Sequence, residues 1–338
     1  DIAGALLSLR GKASGPALAS AFFDLYESSD VAARNAFLSQ VHAQHPRNGE
    51  AIDRAIANWQ QRRDDASALR LHEAAESPCH KLIRRLNLAP GGTRRLIAMR
   101  ADLLAAPDQT ESMRAFDADF EDVFAGWFNA GFLELRPIDW TSPAAILERI
   151  IRYEAVHSIN GWGDLRSRLA PADRRCYAFF HPQMSDDPLI FVEVALTNAL
   201  PSAIASIIAE EREEIDPRAA QCAIFYSISN CQNGLRGIPF GNYLIKRVVG
   251  LLREELPQLA HYATLSPVPG FAAWLKEEQG PDVPSPDELK VLTARYLTTA
   301  RNGRGQVRDT VARFHLGNGA RLEAIHSDAD LSANGRKQ

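Results

Sequence analysis

The chain has 338 residues, 46% hydrophobic and 24% charged, with 38 Lys and Arg against 42 Asp and Glu for a net charge of −4. That length allows two domains, each with its own core, while the slight acidity excludes the broad basic field that nucleic-acid binding needs. No apolar run approaches the roughly 20 residues of a membrane-spanning helix. Asp1 does not open a secretory signal, so a cytoplasmic protein is expected. Cys79, Cys176, Cys222 and Cys231 are widely spaced without a C-x-x-C pair, the pattern of reduced thiols rather than of disulfides or a metal site.

Residues 1–135 read almost entirely as helix, an all-α domain. Leu18, Phe22, Phe23 and Tyr26 form one stripe in a helix over 15–27, and Asp30 is placed to cap a helix over 31–42. Helical spacing continues over 50–71, 78–88 and 93–105. It culminates in 110–132, where Met113, Phe116, Phe120, Val123, Phe124, Trp127 and Phe128 make a face as wide as a bundle core requires. No nucleophile and base sit together there, so packing, against the rest of the chain or against other copies, is its expected role. The stretch Leu133–Ser142 breaks the rhythm with Pro137, and a domain boundary is expected there.

From 136 to 338 the texture is α/β, so the chain as a whole reads as α+β. After a helix over 143–154, strands are predicted over 175–180 and 189–196 and a helix over 202–210. The stretch 222–271 then gives a strand over 223–229, a turn with Gly234, Gly237 and Gly241, a helix over 242–256 and a strand over 262–265. Helices follow over 271–278 and 286–299, a surface loop over 300–310, and a last short strand over 321–325. Glycines feeding a helix N-terminus offer unpaired N–H groups and the positive end of a dipole, a place for a phosphate. The spacing is neither GxGxxG nor a Walker loop. It resembles the R-x-x-x-x-G coenzyme A pyrophosphate loop of the GCN5-related acetyltransferase fold, here Arg236, Gly237, Ile238, Pro239, Phe240 and Gly241.

A more extensive likeness is carried by RYEAVHSINGWGDLRSRL (152–169), RRCYAFFHP (174–182), PLIFVEVALT (188–197), AIFYSISNCQNGLRGIPFGNYLIKRVV (223–249), YATLSPVPGFAAWL (262–275) and RFHLGNGARLE (313–323). In this order they resemble the malonyl-CoA decarboxylase family over nearly all of 140–325. The resemblance implies conversion of malonyl-CoA to acetyl-CoA and CO2 without metal, biotin or other cofactor, and a homo-oligomer assembled through a helical domain ahead of an acetyltransferase-like one. The catalytic serine of S-P-x-P-G-F falls on Ser266, the histidine of H-L-x-N-G-A on His315, and the coenzyme-binding turn on Arg236–Asn242. Where some members carry a glutamate in that turn this chain has Pro239, so no carboxylate role transfers. Members continue past the Asp-Leu-Ser at 330–332 into a segment with an active-site tyrosine, and the chain is expected to be incomplete there.

Loss of CO2 from a malonyl thioester leaves an enolate that must be protonated at C2. The reaction needs an anchor for the coenzyme, donors for the developing oxyanion and a proton source, for which an imidazole is suited. On this reading His315 delivers or manages the proton and Ser266 bonds the substrate and relays. Asn318 either orients His315 or simply forms an Asn-Gly turn. His157 and His181 are further candidates, and Lys246 and Arg247 either reach the 3′-phosphate or face solvent. Two other readings share the coenzyme turn: an acyl-CoA-dependent N-acetyltransferase, which needs an amine, and an acyl-CoA-binding sensor without activity.

Overall fold

A computed structural model describes residues 2–8, 14–209, 211–280 and 284–337. They form two compact units, one made of 1–134, 181–185 and 232–240, the other of 135–180, 186–231 and 241–338.

The first unit is built on helices α1 (Ile2–Leu7), α2 (Gly15–Ser28), α3 (Val31–Gln44), α4 (Gly49–Arg62), α5 (Asp65–Ala75), α6 (Pro78–Leu86), α7 (Gly92–Ala105) and α8 (Glu111–Trp127). The four-residue spacing of Phe116, Phe120 and Phe124 puts all three on one face of α8, where they are fully buried. Successive rings lie 4.8 and 5.4 Å apart. Asp30 caps α3 by accepting the Ala33 N–H, as the sequence indicates. The single helix expected over 50–71 is instead two. Arg63 takes a left-handed φ of 53°, and Asp64 opens α5 with a capping box closed by Ser67. A strong start signal inside a helical pattern outranks continuity of composition. Phe132, expected within the last helix, lies beyond its end and is 60% exposed.

The segment 232–240 also belongs to this unit. A 3₁₀ turn over Asn233–Leu235 lies against α7 so closely that a Cβ on Gly234 would sit 1.9 Å from the Ile97 carbonyl oxygen. The fully buried Arg100 of α7 donates from Nη1 to the carbonyls of Gly234 and Arg236, both at 2.9 Å, and from Nε to Asp117 at 2.7 Å. Of the three glycines expected to give the turn its freedom, only Gly237, at φ 89°, has a positive φ, whereas Gly234 is needed for the close approach.

The second unit holds a five-stranded sheet in the order β1 (Glu134–Pro137), β2 (Arg174–Phe180), β3 (Ile190–Thr197), β4 (Cys222–Asn230) and β5 (His261–Thr264). β2 and β3, and β3 and β4, pair antiparallel, with a bulge between Glu193 and Val194. β4 and β5 pair in parallel, Cys222 with His261 through Phe225 with Thr264. Parallel neighbours need a crossover. The residues after β4 supply it through α12 (Gly241–Glu255), which buries Leu244, Val248 and Leu252. The other helices are α9 (Ala144–Tyr153), α10 (Trp162–Leu169), α11 (Ala205–Ile208), α13 (Phe271–Gln279), α14 (Pro286–Thr299) and α15 (Thr310–Gly317). Ile146, Leu147, Ile150, Leu165 and Leu169 of α9 and α10 pack with Ala178, Phe180 and Phe191 of the sheet, while Ile204 and Ile207 pack with Ile224 and Tyr226.

The helix expected over 202–210 shrinks to Ala205–Ile208, its predicted end Glu210 lying outside the described residues. The strand expected over 321–325 is a correction as well, since this stretch is irregular. Arg321 pairs with Glu323, two residues on, Leu322 is 48% exposed, and Ile325 packs on the Trp274, Tyr296 and Leu297 cluster rather than joining an edge. β1 falls in the stretch read only as a boundary, and α10 where no element was assigned.

Because Arg100 fastens the 232–240 segment to α7, R100M leaves the buried Gly234 carbonyl, the part-buried Arg236 carbonyl and Asp117 without their donor. The substitution is expected to cost about 3 kcal/mol, read as a lowered urea midpoint at unchanged slope. A loss below about 1 kcal/mol would contradict this role.

Candidate active site

The parallel pairing fixes where β5 ends. The Leu265 N–H still reaches the Phe225 carbonyl at 3.1 Å, and Ser266 follows as the chain leaves the sheet. β4 runs on to Asn230, so beyond Phe225 it is no longer paired with β5. From Ser266 the chain passes through Pro267, Val268 and Pro269 to Gly270, and α13 begins at Phe271. Two prolines fix two φ angles in that short link, which limits the directions in which Ser266 can point.

His315 stands in the last turn of α15. Asp309 caps the start of that helix, its carboxylate accepting the N–H groups of Val311 at 3.0 Å and Ala312 at 2.8 Å. At the other end the Asn318 amide donates to the Phe314 carbonyl at 2.7 Å, and the backbone N–H groups of Asn318 and Ala320 reach the His315 carbonyl at 3.0 and 3.1 Å. Asn318 thus ties down the backbone that carries His315.

These two supports bring Ser266 Oγ and His315 Nε2 to 3.1 Å, a hydrogen bond between residues 49 apart in sequence. Both residues are half-buried in the wall of a cavity of about 1420 Å³, which Ile224 and Phe225 of β4 and Lys246 and Val249 of α12 also line. Burial pushes the His315 imidazole below its usual value of 6.5, because the cation would lose hydration. At neutral pH the ring is therefore neutral. One ring nitrogen then stays free to accept a proton.

The N-terminus of α12 lies near this helix. A Cβ on Gly241 would come within 3.2 Å of Ile190 Cδ1 and 3.6 Å of the Phe314 ring, and Phe314 precedes His315. Of the turn ahead of it, Arg236, Gly237 and Pro239 are exposed and Ile238 and Phe240 buried, in the first unit. The Asn242 side chain lies outside the described residues. Lys246 and Arg247 are exposed on α12. His181 accepts the Gln183 N–H in capping a 3₁₀ turn and lies 5.0 Å from the Phe128 ring. His157 is half-buried in the second unit, its backbone N–H held by Glu154 and its ring 3.9 Å from Asp330. Asp309, assigned from sequence to a surface loop, is only 2% exposed. An aspartate directly ahead of the helical run at 310–317 is a cap signal that would have revealed it. Among the described residues no group of three or more His, Cys, Asp or Glu is placed to hold a metal.

An imidazole and a hydroxyl hydrogen-bonded in the wall of a large cavity, on an α+β scaffold, make a candidate enzyme site. Residues 131–287 and 285–338 match the family described as malonyl-CoA decarboxylase C-terminal domain, and residues 46–128 match that described as malonyl-CoA decarboxylase N-terminal domain. The mitochondrial malonyl-CoA decarboxylase of Anser anser anser is 32% identical over 349 residues, which span 87% of this chain and 69% of that protein. The one from Mus musculus is 34% identical over 307 residues, with 75% of this chain and 62% of that protein aligned. A crystal structure of malonyl-CoA decarboxylase from Agrobacterium vitis superposes with a TM-score of 0.91 at 46% identity, covering 100% of this chain and 89% of that one. The chain belongs to the malonyl-CoA decarboxylase family, and the activity of that family is that of a carboxy-lyase.

The lowered His315 value is open to direct titration. Histidine NMR resonances are expected to give His315 a midpoint below 6.5. A midpoint at or above that value would contradict the desolvated setting.

Proposed function

We propose that Ser266 and His315 manage the proton in the decarboxylation of malonyl-CoA to acetyl-CoA. The C–C bond to the carboxylate breaks, CO2 leaves, and the electron pair passes to C2 and the thioester oxygen as an enolate. With Nε2 protonated, His315 donates to Ser266 Oγ, whose own hydrogen is turned toward the substrate. The chain Nε2–H to Oγ–H to substrate first stabilises the developing negative charge and then passes a proton to C2. The Ser266 proton ends on C2, the Nε2 proton on Oγ, and a solvent proton enters at Nδ1, so the ring stays neutral; loss of the Nδ1 proton to solvent and uptake of one at Nε2 then restore the starting tautomer.

The observation that carries this reading is the 3.1 Å hydrogen bond between Ser266 and His315 in the cavity wall. Family membership supplies the substrate.

For the coenzyme the proposal uses the turn Arg236–Asn242, carried over from the resemblance. Its pyrophosphate would lie at the unpaired N–H groups that open α12, a helix of 15 residues whose dipole favours an anion there. The positive φ of Gly237 and the tight packing of Gly241 support that role, because a side chain at either would disturb the turn. A reducing, aqueous compartment such as the cytosol fits the four buried free thiols. No described helix is long and apolar enough to cross a membrane. Assembly of copies through the helical unit belongs to the same proposal, with exposed Leu25, Val31 and Leu69 as apolar surface to be covered.

Malonyl-CoA supplied alone, without an amine, should yield acetyl-CoA and CO2 by mass spectrometry. S266A and H315A should each lower kcat by about 100-fold while malonyl-CoA still binds. Turnover only after an amine is added would point to an acyltransferase. Unchanged rates in both variants would remove the pair from the chemistry.

A further inference from the structure

A single hydrogen bond such as that between Ser266 and His315 adds too little net stability to hold two segments 49 residues apart in register. A third group does so. The Asp309 carboxylate has one oxygen on the first N–H groups of α15, as described above, and its other oxygen, Oδ2, accepts the Gly270 N–H at 3.3 Å. Gly270 closes the proline-bounded link that starts at Ser266, and Asp309 opens the helix that carries His315. One buried carboxylate is thus bonded to the base of each arm of the pair.

Tyr296 completes the arrangement. It is 1% exposed and sits in the Trp274 and Phe271 aromatic cluster, and its hydroxyl and Asp309 Oδ2 both border the place that a Gly270 side chain would take. The same hydroxyl fills the space where a Gly270 side chain would be, since a Cβ there would lie 2.3 Å from it. Gly270 has φ −93° and ψ −5°, which any residue adopts, so closeness rather than backbone strain requires glycine.

We infer that Asp309, buried beside Tyr296 and bonded at once to Gly270 and to the start of α15, is the positioning residue that sets the separation of Ser266 and His315. This rests on the assignment of the chemistry to that pair. Asp309 does not touch the substrate in this account. It acts by keeping Oγ and Nε2 in line, and a misplacement of about 1 Å can cost on the order of 100-fold in rate.

The isosteric D309N separates this role from simple capping. Asparagine keeps one accepting oxygen and turns the other position into a donor, so either the Gly270 link or the cap of α15 is lost. Assayed with malonyl-CoA, D309N should lower kcat by about tenfold or more, with KM within about threefold of the parent and a melting temperature within about 5 °C. G270A should lower kcat in the same way, and G270A/Y296F, in which the blocking hydroxyl is gone, should regain most of it. D309N with parental kcat, or with its loss carried by KM, overturns the inference, as does a G270A/Y296F no better than G270A. If S266A and H315A are inactive while D309N is not, only the positioning role fails. If S266A and H315A keep the parental rate, the assignment of the chemistry fails first.

Discussion

A hydroxyl and an imidazole that meet at 3.1 Å must be delivered to each other by scaffolds stiffer than the bond between them. One scaffold is the sheet. Parallel pairing with β4 fixes the end of β5, the Leu265 N–H extends the ladder by one bond, and two prolines restrict the chain beyond Ser266. The other is α15, capped by Asp309 at its start and by Asn318 at its end. The arrangement is preorganised in the sense catalysis requires, since little of it must be built when substrate arrives.

The same placement sets the chemistry available. Loss of hydration on burial holds the His315 imidazole below its ordinary pKa. The proposed relay is therefore a neutral ring rather than a standing cation. A neutral ring bonded to a hydroxyl can pass a proton without leaving a charge in the cavity wall, which suits a reaction whose own charge moves from carboxylate to enolate and then disappears. The α12 N-terminus, packed through Gly241 against Ile190 and Phe314, lies close to the helix of the proposed proton relay.

Much of this was legible from the residues. The run from Ala223 to Ser229, the glycines after it and the apolar spacing over 242–256 gave the strand, turn and helix nearly to the residue, because each signal is local. The pairing of Ser266 with His315 was not local, and composition or periodicity could not have joined them. Motif resemblance supplied it, and the structure brings the two together. What sequence missed depended on contacts made at a distance. Gly234 faces a carbonyl of α7, Asp309 is buried by Tyr296, and residues 321–325 alternate like a strand with no edge to join. The Asp-Asp-Ala-Ser start after Arg63 shows the reverse case, a local cap signal that was present in the sequence and that the structure follows over the helical composition around it.

The most direct test is a crystal structure with an unreactive malonyl-CoA analogue bound, in which a sulfonate or nitro group replaces the carboxylate. Electron density for the thioester end is expected in the cavity, with C2 within hydrogen-bonding reach of Ser266 Oγ and the Ser266 to His315 contact intact. An analogue whose acyl end lies away from both side chains, or whose binding separates them, would contradict it.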